Sequence, residues 1–265
     1  MYAALEAALR EADPDAKLAA VDWLGRQATA LDAALPHAEA PAMVVPGRPA
    51  RPPLVAPRDL PQRGLGTAIG RAALVHAIAH IEFNAINLAL DAAWRFRGLP
   101  DAFVHDWISV AVDEARHFEM LRERLAALGH DYGDFPAHDG LWEMAVKTTE
   151  SVLARMALVP RLLEARGLDV TPGMITRLRS QGDAASAEVL ELILAEEVRH
   201  VAIGSRWFAW CCARDGVEPG PTFLALVRGI GKGSLRGPFN REARLLAGFD
   251  EAELAGIAGL AGEAA

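Results

Sequence analysis

Two Glu-x-x-His quartets stand out in this 265-residue chain, Glu114-Ala115-Arg116-His117 and Glu197-Val198-Arg199-His200. On a helix, positions three apart share a face, so the carboxylate and imidazole of one quartet can reach the same ion. A single quartet arises often on exposed helices, where solvated charge accounts for it. Here both copies lie on apolar stripes. One stripe runs Val110, Glu114, His117, Leu121, Leu125; the other runs Ile193, Glu197, His200, Gly204 and then Trp207 or Phe208. Ionisable groups set among apolar neighbours are costly unless they are paired or bound to a metal. A helical bundle that holds two metal ions takes one such quartet from each of two helices and one glutamate from each of two others.

The two single glutamates follow from spacing. Glu82 shares a stripe with Ile78, Ala85 and Ala89, and it matches Glu114 in depth when both are counted from a corner at Gly98. Glu164 shares a stripe with Leu153, Ala157 and Pro160. The separation from Glu82 to Glu114 is one position short of that from Glu164 to Glu197, as two similar helix pairs would require. Glu150 is the alternative, and it lies much further from Glu197 along the chain. The expected metal ligands are therefore Glu82, Glu114, His117, Glu164, Glu197 and His200, and the same six are the expected catalytic set. Asp113 and Glu196 precede the quartets and are expected to orient His200 and His117, since ligating histidines commonly hand their second N–H to a carboxylate. His76 and His80 read as core histidines. Gly204 and Ala85, about a turn from ligands, are expected to leave room for oxygen or substrate.

Four carboxylates and two imidazoles mix hard and borderline donors. That set suits iron or manganese better than zinc, which favours fewer ligands and more thiolate. Four ionised carboxylates balance two divalent ions. The expected cofactor is a pair of metal ions, with iron first and manganese or a mixed pair as alternatives.

The elements that must position these residues are helices. Residues 1–35 read as two short helices, with Asp13-Pro14 opening the second. Residues 36–66 are proline-rich and read as an extended strap. A four-helix bundle is expected over 67–216. Its helices run from Ala68 to Phe96, Asp101 to Leu128, Leu141 to Arg166 and Ala184 to Arg214, with a short extra helix from Pro172 to Gln181. Gly98-Leu99-Pro100, Gly129, Gly167 and Gly216 supply the stops. Residues 129–140 read as the long crossover of a ferritin-like bundle. A C-terminal helical arm occupies 217–265. No strand pattern stands out, so the fold class is all-α.

Apolar residues make up 52% of the chain, and its formal charge is −8 with a pI near 5.5. That acidity argues against wholesale nucleic-acid binding. Cys211 and Cys212 are the two cysteines, and their adjacency suits a reducing compartment. The N-terminal residues do not resemble a signal peptide. The most apolar stretch, Leu74 to Leu90, is interrupted by His76, His80, Glu82, Asn84 and Asn87, unlike a membrane span. A cytoplasmic protein with no membrane partner is expected.

Several stretches resemble a bacterial ferritin-like family labelled as a domain of unknown function. They are Ala79-His80-Ile81-Glu82, Asp113-Glu114-Ala115-Arg116-His117-Phe118 and Tyr132-Gly133-Asp134-Phe135-Pro136-Ala137-His138. Further along come Ala154-Arg155-Met156-Ala157-Leu158-Val159-Pro160-Arg161, Leu163-Glu164-Ala165-Arg166-Gly167-Leu168-Asp169 and Glu197-Val198-Arg199-His200-Val201-Ala202-Ile203-Gly204. The strap Ala56-Pro57-Arg58-Asp59-Leu60-Pro61 is similar too. The resemblance implies a ferritin-like fold and a metal site, and no established reaction. A more distant similarity links the chain to di-iron hydroxylases acting on tRNA or on quinone rings, through the shared ligand order. The expected function is an O2-dependent di-iron oxidoreductase, with O2, an electron donor, and a small-molecule or tRNA-linked substrate as partners. A homodimer is compatible with this reading. The alternatives are a ferroxidase and a metal-binding or structural helical protein without catalysis.

Overall fold

The structure, a computed structural model, describes residues 1–28, 45–231 and 233–263. The end of the expected N-terminal helical segment, 29–35, and the start of the strap, 36–44, lie outside the described residues. The protein is all-α. Among the described residues the β-type pairing is limited to an isolated parallel bridge between Leu54 and Ala137. The chain divides into two compact units, Met1–Glu143 and Met144–Ala265.

The first unit contains α1 (Tyr2–Arg10), α2 (Pro14–Ala28), a 3-10 turn at Pro57–Asp59, α3 (Ala68–Arg95) and α4 (Asp101–Ala127). Helices α3 and α4 pack along their lengths, α1 lies against α3, and α2 lies against α4. The Thr67 side chain accepts from the Gly70 N–H at 3.1 Å, satisfying one of the first-turn donors of α3. The chain leaves α3 through Gly98, whose φ of 83° is open to glycine, and Pro100 caps the start of α4. Buried Lys17 fastens the outer helices. Its Nζ donates to the Ala8 and Leu9 carbonyls at the end of α1 and to Asn87 Oδ1 on α3, at 2.9, 3.1 and 2.7 Å. Among the described residues, α3 alone is long and apolar enough to cross a membrane. Of its most apolar window, 78% is buried inside the protein, as in a core helix.

The described part of the strap runs beside the loop that follows α4. Val55 N–H donates to the Ala137 carbonyl at 2.8 Å, and Ala137 N–H donates to the Pro53 carbonyl at 3.1 Å. Arg48 pairs with Asp139 at 2.8 Å.

Helix α5 (Gly140–Lys147) spans the division between the units. The second unit continues with α6 (Val152–Leu158), a π-helical turn (Val159–Glu164), α7 (Ala165–Ser180), α8 (Ala184–Asp215), α9 (Pro219–Gly229), α10 (Arg241–Leu246) and α11 (Glu251–Glu263). This corrects the expectation of one helix from Leu141 to Arg166. That path breaks at Thr148–Ser151, where the Thr148 hydroxyl donates back to the Met144 carbonyl at 2.9 Å and Ser151 caps α6. Buried Arg155 seals the break by donating to Thr148 Oγ1 at 2.7 Å and to the Ala145 carbonyl at 2.8 Å. Nor does the helix stop at Gly167. It runs on through Pro172 to Ser180, so the expected short helix is the end of α7.

The π turn has two causes in the sequence. Pro160 has no N–H to continue the α-helical ladder. Its ring also sits against Gly204 of α8, where a Cβ would come within 2.4 Å of the Pro160 Cβ and Cγ. Gly204 therefore serves helix packing, and the expectation that it leaves room for oxygen or substrate is overturned. The buried Arg161 then ties the turn to the C-terminal helices. It donates to Glu253 Oε2 at 2.7 Å and to Ser205 Oγ at 3.2 Å, and its guanidinium carbon lies 4.4–4.8 Å from the ring centroids of Phe208, Phe223 and Phe249. A second buried pair, Arg244 with Asp169 at 2.8 Å, joins α10 to α7.

Gly204→Ala is expected to destabilise the fold by about 1–3 kcal/mol, the usual cost of overpacking. Chemical denaturation measures it, and a loss under ~0.5 kcal/mol would show that the contact with Pro160 yields freely.

Candidate metal centre

Glu82 lies as many positions before the end of α3 at Arg95 as Glu114 lies after the start of α4 at Asp101. At ~1.5 Å per residue both stand about 20 Å from the corner that joins the helices, hence level with one another. His117 is one turn further along the same face of α4. Its Nδ1 lies 3.1 Å from Glu82 Oε2 and 3.5 Å from Glu114 Oε2. The ligand atoms of these three residues fall within 4.8 Å of one another. They are 5%, 1% and 0% exposed for Glu82, Glu114 and His117.

Burial alone would pull the His117 imidazole below its ordinary range. The hydrogen bonds and charges of Glu114 and Glu82 outweigh that and push it up to about 11. In the metal-free protein the imidazole is thus a cation at neutral pH, with Nδ1–H donating to a carboxylate. A divalent ion bound here would compete with this proton for the same two carboxylates and the same nitrogen. Two carboxylates and an imidazole form a donor set of the kind that binds iron, manganese or zinc. The residues present therefore fit a metal ion.

Phe83 and Phe118 follow Glu82 and His117 in sequence and pack on each other. Phe83 and Phe118 stand 5.1 Å apart between centroids, and Tyr132 meets Phe118 edge-on at 4.9 Å.

In the second unit α8 presents the other quartet in the same geometry. His200 is 0% exposed, and its Nδ1 lies 3.2 Å from Glu197 Oε1. Glu164 is the last residue of the π turn and is partly buried. The tight corner at Gln181–Asp183 folds α7 back along α8. Glu164 lies as far before Gln181 as His200 lies after Asp183, so counting along the two helices brings them level. Glu150 stands exposed in the turn between α5 and α6, and Glu143 is exposed on α5. The Glu150 position therefore lacks the burial expected of a ligand.

Asp113 lies 3.5 Å from Arg116 of its own helix. His76 and His80 are core groups, as expected. His76 Nε2 accepts from the Gly133 N–H at 2.9 Å, and the ring stacks on Tyr132. The His80 ring nitrogens lie 2.8 Å from the Tyr132 hydroxyl and 3.2 Å from the His138 carbonyl. Burial holds both imidazoles down at about 4, so both are neutral at pH 7. Cys211 and Cys212 are free and buried, with thiols raised by burial. Sequence reasoning missed the buried Arg161 and Arg155. The available signal was an arginine on an otherwise apolar stretch, as in Leu153-Ala154-Arg155-Met156 and Val159-Pro160-Arg161-Leu162.

The protein is therefore all-α, with a buried glutamate–histidine cluster that could hold a metal ion. The chain belongs to the family described as "Protein of unknown function (DUF455)", which matches it over residues 10–255. It is also similar to a Haemophilus influenzae (strain ATCC 51907 / DSM 11121 / KW20 / Rd) protein described as "Uncharacterized protein". The two are 47% identical over 215 residues, covering 78% of this chain and 74% of the relative. No solved structure matches the chain.

The folded pKa of His117 lies above its usual 6.5, so its proton stabilises the metal-free fold. That contribution is complete below about pH 6.5 and disappears as the pH rises through about 11. Imidazole ¹⁵N NMR of metal-free protein should find His117 still protonated at pH 8, and a zinc titration should release that proton. A neutral His117 at pH 8 before any metal is added would refute this account of the cluster.

Proposed function

We propose that the protein is a ferritin-like di-metal oxidoreductase. In this reading Glu82, Glu114, His117, Glu164, Glu197 and His200 ligate two ions, with iron the first candidate. The observation that carries it is the Glu82–Glu114–His117 cluster, two carboxylates and an imidazole buried together within 4.8 Å. Glu197 and His200 repeat the quartet spacing on α8, and a count from the corner at Gln181–Asp183 supports setting Glu164 level with His200. Membership of the family fits the reading without naming a reaction.

Reduced iron bound by such ligands supplies oxygen activation and the oxidation of an organic substrate. The chain supplies what surrounds it. Glu82 and Glu114 bring negative charge into an interior that would otherwise repel it, and so select for cations. His117 gives up its Nδ1 proton when it ligates, which makes ion uptake weaker as pH falls. The near-complete burial of Glu82 and Glu114 keeps bulk water from their carboxylates. Substrate, electron donor and O2 are the proposed partners, and a small molecule or a tRNA-linked group is the proposed substrate class.

Anaerobic titration with ferrous iron, followed by elemental analysis, tests the proposal. Two ions per chain are expected. Glu82→Ala and His200→Ala should each lower uptake at least tenfold while helical content is kept. Iron-loaded protein should consume oxygen when given a reductant. Fewer than one ion per chain, or uptake indifferent to both substitutions, would sink the reading.

A further inference from the structure

The first unit has a second site with a different character. A cleft of about 150 Å³ opens between residues 60–63 of the strap, residues 73–84 of α3 and residues 135–141, in the loop that leads into α5 and its first turn. Its walls are largely apolar, formed by Leu60, Pro61, Ile81, Phe135 and Leu141 among others. Its polar groups are four: Arg63, His80, Asn84 and His138. Ala77, His80, Ile81 and Asn84 share one side of α3. At ~100° per residue, Glu82 projects from a different side. The cleft is thus separate from the candidate metal centre.

Each polar group has a definite state. His80 is spoken for at both nitrogens. His138 Nδ1 accepts from the Gly140 N–H at 3.1 Å, which leaves Nε2 to carry its proton. Asn84 is 1% exposed. Its Nδ2 lies 2.9 Å from the His80 carbonyl and 3.0 Å from His80 Nε2, so the donor side of the amide is committed. The acceptor side is not: Asn84 Oδ1 is buried and, among the described residues, has no hydrogen-bond donor. A buried carbonyl left in that condition costs about 1–3 kcal/mol unless something donates to it. Arg63, half-buried, meets the Phe135 ring at 5.3 Å. No described residue forms an ion pair with it. Within the described residues the lining contains no carboxylate. In a chain of net charge −8, this cleft carries one fixed positive charge and none of the opposite sign.

We propose that this cleft binds a small organic carboxylate whose apolar body carries one hydrogen-bond donor. The carboxylate pairs with Arg63, the body lies against the Leu, Pro, Ile and Phe walls, and the donor satisfies Asn84 Oδ1. The volume suits a ligand about the size of one substituted aromatic ring. A single guanidinium with predominantly apolar walls fits a carboxylate better than a phosphate, which demands several donors at once. The proposal stands independently of the metal reading.

Calorimetric titration of the full chain with 4-hydroxyphenylacetate, phenylacetate and methyl 4-hydroxyphenylacetate tests it. The hydroxy acid should bind saturably, several-fold tighter than phenylacetate, which lacks the donor. It should also exceed the methyl ester, which lacks the charge. Arg63→Gln, at a half-buried strap position, should weaken the acid about tenfold and leave the ester unchanged while circular dichroism shows the fold kept. Asn84→Val should erase the advantage of the hydroxyl, provided that circular dichroism shows the variant folded. Absence of saturable binding by the hydroxy acid, or binding that Arg63→Gln leaves as it was, would overturn the assignment whatever the metal content of the protein.

Discussion

Two carboxylates buried beside one imidazole set the terms for the first unit. Like charges a few ångströms apart repel by about 4 kcal/mol even at an effective dielectric near 20, and burial adds a desolvation cost for each. Glu82 and Glu114 are 5% and 1% exposed. They can both stay ionised only if a cation shares the site. His117 is that cation in the metal-free protein, held protonated by the two acids whose charge it partly offsets. The surrounding features serve this arrangement. The matched depth of the two helices brings the acids together, and Thr67 and Gly98 fix where the helices begin and turn. A proton on one nitrogen is the least such a site requires, and a metal ion answers the same charge with more ligands.

In the second unit the governing constraint is the π turn. A proline inside a helical path leaves the ladder one donor short, and the chain responds by widening the turn over Val159–Glu164. Widening rotates everything that follows it relative to what came before. The turn is held in place by its flanks. Pro160 packs into the space that Gly204 provides, and Arg161 is enclosed by three phenyl rings and paired with Glu253. Just over a turn beyond Glu164, Asp169 is locked to Arg244. The C-terminal helices therefore act as a brace on both sides of Glu164. Truncating either partner of Arg161–Glu253 would strand a buried charge, which costs far more than the pair contributes.

The parts legible in the sequence were those governed by local rules. Gly98-Leu99-Pro100 marks a corner because glycine opens φ and proline starts a helix, and the helices on either side fall close to their expected bounds. The depth match of Glu82 and Glu114 follows from that corner by counting. The path after residue 140 was not legible in the same way. Thr148, Thr149 and Ser151 hold a helix break, yet their signal is weak beside the apolar run that surrounds them, and it takes Arg155 to seal the gap. Gly167 looks like a stop and is not one, because α7 is held on both sides by tertiary contacts that override its propensity. Gly204 illustrates a further limit. A small residue near a ligand reads equally as space for a substrate or as space for another helix, and only the position of Pro160 decides between them.

Helix α3 explains why composition alone is a poor guide here. Its residues 82–95 are all buried, so the helix reads as nearly uniform and even passes as a membrane span by length and hydropathy. The polar residues it carries break that impression, and each does so for a separate local reason. Asn87 receives Lys17, Asp91 pairs with Arg95 at 2.6 Å, His76 and His80 hold the loop around Tyr132, and Glu82 faces His117. A lipid-facing helix could not spread its polar groups around its circumference in this way, because unsatisfied groups in hydrocarbon cost several kcal/mol each. Burial on every side by protein is what permits it. The same helix can then present an acidic cluster on one side and border an apolar-walled cleft with a single cation on another, since Glu82 projects from a different side of the helix than Ala77, His80, Ile81 and Asn84.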